Sequence, residues 1–162
     1  MNGKLVGSFI VLTALLAGGA MYYLQEYYFY TPVNFTPGDE IELTALASGQ
    51  PEAIPVTGLS GIDATSSPLR FRACFTSVLD QPTLTEGFKL YDKAVPLNAP
   101  GWFTCFDAAK IGAALESGEA IAFLGKADVA PDIDAVVAVF SDGRGYSWHQ
   151  LKPGIDASSG GE

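Results

Sequence analysis

"DAVVAVFSDGRGYSWHQL" (Asp134–Leu151) decides the fold. An apolar run half made of valine reaches Ser-Asp-Gly, turns, and continues as a second run rich in aromatic side chains. That is the pattern of a β-hairpin. Just upstream, "AIAFLGKA" (Ala120–Ala127) is another apolar run of strand length. Further back, "EIELTAL" (Glu40–Leu46) and "LRFRACFTS" (Leu69–Ser77) alternate with a period of two. In the latter, Phe71, Ala73 and Phe75 share one face, and Arg70, Arg72 and Cys74 share the other. "FKLYDK" (Phe88–Lys93) reads as a short edge strand.

Between these strands lies one clear helix, "TCFDAAKIGAALESG" (Thr104–Gly118), inside a proline-free interval from Gly101 to Ala130. Thr104 followed by Asp107 matches a helix-start pattern, and Gly118 is a natural stop. Cys105, Ala108, Ile111 and Leu115 repeat at helical spacing and define the predicted buried face; Lys110, Ala113 and Glu116 face outward. The turn-rich stretches Ala47–Pro68 and Leu79–Gly87 carry no assignment. The expected class is α+β: an N-terminal transmembrane helix plus a small, mostly antiparallel sheet with one packed helix.

The transmembrane expectation rests on "LVGSFIVLTALLAGGAMYYL" (Leu5–Leu24), which holds no charged residue. As a helix it spans about 30 Å, the thickness of a hydrocarbon core. It runs into a cluster of Tyr22, Tyr23, Tyr27, Tyr28, Phe29 and Tyr30, the composition of an interfacial aromatic belt. Lys4 lies before it and Glu26 after it, so the positive-inside tendency leaves the N-terminus in the cytoplasm and exports the rest. A cleaved signal peptide ending at Ala20 is the competing reading; a retained anchor explains the tyrosines better. Thr13 with Ala17, and Ala14 with Gly18, form small-xxx-small pairs suited to contact with another transmembrane helix. The chain then divides into an anchor with its aromatic belt (1–30), a linker (31–39), an α+β domain (40–153) and a disordered tail (154–162).

The formal net charge is −9, from 9 basic and 18 acidic residues. Only Lys4 and Glu26 of these precede Thr31, so the domain itself carries the whole excess, and with no basic cluster nucleic-acid binding is excluded. The two cysteines, Cys74 and Cys105, lie on a strand and near a helix start. In an exported protein they read as a structural disulfide closing a loop of about 30 residues. A reactive thiol pair lacks the C-x-x-C spacing. A metal site would have to combine both thiols with His149, the chain's single histidine. Ser147 and His149 share a strand face, but no nucleophile elbow accompanies them. Asp128, Asp132 and Asp134 flank Pro131 without Ca²⁺-loop spacing. No catalytic, cofactor-binding or metal residue is assigned, and no cofactor is expected.

"PLRFRACFTS", "VPLNAPGWFTCFDAA" and "VVAVFSDGRGYSWHQL", together with the N-terminal anchor, resemble an uncharacterised alphaproteobacterial family of single-pass inner-membrane proteins. Sequences of this kind sometimes carry a histidine-kinase label that these residues do not support. The resemblance brings no activity, cofactor or catalytic residue; it implies a Gram-negative inner membrane, with the domain in the periplasm.

The expected role is non-enzymatic: an accessory or assembly subunit docking beside a larger inner-membrane complex, with the lipid bilayer and another membrane protein as partners. Trp102, in "APGWF", is a candidate surface contact. The alternatives are a periplasmic small-ligand-binding or sensing module, and a thiol- or metal-handling protein.

Overall fold

The computed structural model describes residues 2–36 and 41–155. Helix α1 (Gly3–Tyr23) continues through a wide π-type turn, Leu24–Tyr28, into β1 (Tyr30–Pro32). There follow β2 (Glu42–Thr44), β3 (Pro51–Ala53), β4 (Val56–Ala64), β5 (Arg72–Ser77), α2 (Gln81–Gly87), α3 (Ala108–Ser117), β6 (Ala120–Leu124), β7 (Ile133–Phe140) and β8 (Arg144–Leu151). Six strands form one antiparallel sheet in the order β1-β4-β5-β8-β7-β6, and β2 and β3 pair as a separate hairpin. The class is α+β.

The apolar run in β7 is unbroken because the sheet is a middle layer. Val137 and Val139 join Ala73, Phe75 and Phe123 on one face, covered by Ile41, Leu43 and Ile54 of the hairpin and by Leu84 of α2. Val136 and Ala138 join Cys74, Ala122 and Trp148 on the other face, covered by Phe103, Phe106 and Ile111. A strand buried on both faces loses its alternation and reads as continuous hydrophobicity. Near the start of β8, Gly145 leaves room for the Phe75 ring, which any Cβ there would overlap.

Helix α3 starts later than its sequence pattern suggests. Asp107, not Thr104, is the N-cap, its carboxylate accepting from the Lys110 N–H at 3.1 Å. Aspartate caps as well as threonine, and the later start leaves two tight turns, Pro100–Phe103 and Phe103–Phe106. Those turns fold Phe103 and Phe106 onto the sheet while Cys105 reaches toward Cys74. Cys105 therefore precedes the helix and is exposed; the buried positions of α3 are Ile111 and Ala114, with Ala108 and Leu115 half-buried. Gly118 closes the helix in the left-handed region at φ +79°.

The two unassigned stretches hold regular structure. Asp80 caps α2 by accepting from the Thr83 N–H at 3.1 Å, with Pro82 in the first turn, and Leu84 is fully buried. A second helix therefore packs on the sheet, where the sequence pointed to one. The longest strand of the sheet, β4, is interrupted by a register shift between Thr57 and Ser60, around Gly58 at φ +63°. Phe88–Lys93 makes only isolated bridges, Phe88 to Ala45 and Leu90 to Phe123. The segment read as a linker from residue 31 opens as part of edge strand β1, with Val33 donating to the Gly61 carbonyl at 2.9 Å. Residues 37–40 of that linker, and the tail beyond Ile155, lie outside the described residues.

Candidate functional site

The most distinctive constellation joins the end of the apolar helix to the sheet. Arg70, just before β5, donates through Nη1 to the Gln25 carbonyl at 3.3 Å and lies over the Tyr30 ring at 5.4 Å. Glu26 is gripped twice. Its carboxylate accepts from the Gly101 N–H at 2.8 Å, and its carbonyl accepts from the Trp102 indole N–H at 2.7 Å. The indole stacks on Tyr27 (6.5 Å, 19°) and meets Tyr30 edge-on at 6.1 Å. Trp102, the candidate surface contact, thus has its indole N–H engaged by Glu26 while 38% of the residue stays exposed.

The loop presenting Gly101 and Trp102 is itself clasped to the sheet. Cys74 and Cys105 form a disulfide, 31 positions apart in sequence, with Cα atoms 6.3 Å apart. Two positions from Cys74 on the same face, Arg72 is 3% exposed. Its guanidinium donates to the carbonyls of Leu69 (2.8 Å), Phe71 (2.6 Å), Leu97 (2.8 Å) and Asn98 (3.0 Å) and lies over the Phe106 ring. Burial pushes its pKa down to about 10, opposed by Tyr30 and Asp63, so it is charged at neutral pH. Further along the same face, buried Gln150 accepts from the Val95 N–H at 2.8 Å and from the Trp148 indole at 3.1 Å, and donates to the Lys93 carbonyl. Tyr91 donates its hydroxyl to Asp134 at 3.1 Å; burial, then that carboxylate, raise the phenol above its ordinary range. Disulfide, arginine and amide together tie residues 93–105 to the sheet at three points.

The other face holds His149. Its ring stacks on Phe71 at 4.7 Å, and Nδ1 donates to the Pro68 carbonyl at 2.8 Å, which makes Nδ1 the protonated nitrogen of the neutral ring. With Ser147, Glu42 and Lys126 it borders a cavity of about 130 Å³. A carbonyl stands where a serine–histidine mechanism needs a carboxylate. Strand parity also places His149 and Cys74 on opposite faces, so the thiols and the imidazole do not converge on one metal. The loop acids are engaged separately, Asp128 with Lys152, and Asp134 with Tyr91 and the Asp128 N–H.

Burial holds the His149 pKa below its ordinary 6.5; the Pro68 carbonyl and Asp63 oppose this, and Arg72 adds to it. The folded ring therefore binds its proton less tightly than the unfolded ring, and protonation favours unfolding. Stability is full above about pH 6.5 and falls as pH drops below it. Asp80, Asp107 and Asp142 have lowered pKa values through hydrogen bonds from Thr83, Lys110 and Arg144, and their contributions fade only as pH falls below 3.8. Melting temperatures between about pH 5 and 6.5 isolate the imidazole: the wild type declines toward acid and His149→Phe is flatter. Equal slopes in the two proteins would remove His149 as the cause.

On α1, Thr13, Ala14, Ala17 and Gly18 are exposed, with the Thr13 hydroxyl bonded back to the Phe9 carbonyl at 2.6 Å. The sequence gives no role to Gln150, and shows Glu26 only as a flanking acid and Arg70 and Arg72 only as the strand face shared with Cys74. Glu26 has a signal in being the only acid before Thr31; the contacts that define the other three reach partners 25 to 57 positions away.

A family model described as "Family of unknown function (DUF6446)" matches residues 41–161. No curated protein and no solved structure matches the chain.

Proposed function

The chain belongs to the DUF6446 family, and we propose that this member is a membrane-anchored periplasmic protein without catalytic activity, serving as an accessory or assembly subunit beside a larger inner-membrane complex. One observation carries the reading: an apolar helix long enough to cross a membrane, with no residue buried by the rest of the chain, is fastened directly to a domain built around a disulfide. An unburied apolar helix needs lipid or another helix around it, and a disulfide persists in an oxidising compartment. Thr13, Ala14, Ala17 and Gly18 offer the flank where a partner helix approaches.

Extraction of the native protein in mild detergent tests this. It migrates as part of a larger complex, and Ala17→Leu with Gly18→Leu releases it without altering the melting of the domain. A clean monomer, or a mature chain starting after Ala20, counts against the proposal. A second reading draws on the open groove of about 740 Å³ between α3 and residues 90–96, bordered by Leu90, Val95, Gly112 and Leu115, as a small-ligand site. A thermal-shift screen without a stabilising compound removes it.

A further inference from the structure

We infer that the Pro100–Phe103 turn seats the domain on the bilayer surface, with Trp102 inserted among the phospholipid headgroups next to the end of α1. This rests on the reading of α1 as a membrane span. The indole N–H is already satisfied by the Glu26 carbonyl, so what Trp102 leaves exposed is hydrocarbon ring. An apolar face with its polar tip occupied favours the interfacial layer.

The depth agrees. Tyr22 and Tyr23 close α1; Tyr23 stacks on Tyr27 (5.9 Å, 22°), and Tyr27 stacks on Trp102, so the indole continues the aromatic column of the helix end. From Tyr22 to Glu26 the chain advances about 6 Å, within the few ångströms that each headgroup layer adds to the hydrocarbon core. Tyr23, Tyr27 and Tyr28 are exposed around it. The Glu26 carboxylate, which lies at this level, accepts the Gly101 N–H, which reduces the cost of holding a charge there. Because the domain carries the net charge of −9, attraction to anionic lipid plays no part and the contact is insensitive to salt.

The chain's two tryptophans make the test direct, since Trp148 is fully buried. The full-length protein is reconstituted in phosphatidylcholine vesicles doped with nitroxide lipids labelled near the headgroup or near the acyl terminus, and Trp102→Phe supplies the Trp148 background. The Trp102 emission is quenched at least about twofold more by the shallow label than by the deep one, resists aqueous iodide, and is unchanged at high salt. Quenching by iodide and not by the shallow label, in protein that floats with the vesicles, overturns the seating and leaves the anchor standing. Protein that does not float with vesicles overturns both. An unchanged Trp148 emission maximum in Trp102→Phe shows that the variant is folded.

Discussion

Replacing Cys74 and Cys105 together by alanine lowers the melting temperature of the domain by roughly 10–20 °C. The bridge spans 31 positions, and opening a loop of that size returns entropy to the unfolded chain worth about 3–4 kcal/mol. A domain of this size is held by about 5–15 kcal/mol in all, so the loss is a large fraction of the total. The native state loses as well, because the bridge is one of three fastenings of residues 93–105 to the sheet and the one nearest the start of α3. Wild-type protein reduced with a dithiol melts with the double variant, since both lack the same constraint. A shift below about 3 °C, or a reduced wild type that melts like the oxidised one, would show that the arginine and glutamine contacts hold the loop unaided.

Arg72→Leu is expected to destabilise by about 3 kcal/mol or more, close to the limit of what the fold tolerates. The side chain satisfies four main-chain carbonyls in a site that water scarcely enters. Leucine fills part of the volume and donates nothing, and each carbonyl left unpaired costs about 1–3 kcal/mol unless the loop opens to hydrate it. Lysine restores the charge but presents three donors from one atom, and cannot reproduce a planar fork reaching carbonyls on two segments; Arg72→Lys recovers less than half of the loss. The denaturation midpoint is the measurement, and a leucine variant within about 1 kcal/mol of wild type refutes the assignment. Combining Arg72→Leu with the cysteine changes costs less than the separate effects added, because both release the same loop.

How much of this was legible depended on the distance over which each interaction acts. The hairpin of β7 and β8 and the αL stop at Gly118 are local and were plain in the sequence. The start of α3 was misplaced because Thr104 and Asp107 are equally good caps. The choice between them is made by Phe103 and Phe106, whose burial requires turns where a helix would otherwise begin. Strand β4 was hidden by its own corrections: Gly58 makes the bulge, and Gly61 makes space for Phe35, so its residues read as turn. Helix α2 was within reach, since Asp80 followed by Pro82 is a helix-start signal. Alternation put Arg72 on a strand's polar face; that the face is roofed by carbonyls some 25 positions away is information that no local pattern carries. The clamp between Glu26 and Trp102, spanning 76 positions, is the extreme case.

Only Leu24 to Phe29 lie between α1 and β1, and Glu26 among them is held at both its carbonyl and its carboxylate. The shaft and its head therefore have no swivel. Turning the helix about its long axis turns the sheet through the same angle, so a companion gripping the flank of Ala14 and Gly18 also selects which side of the domain confronts it. With α1 across a bilayer, as proposed, orientation in the membrane plane is inherited from the stem, as the bow of a key follows its blade.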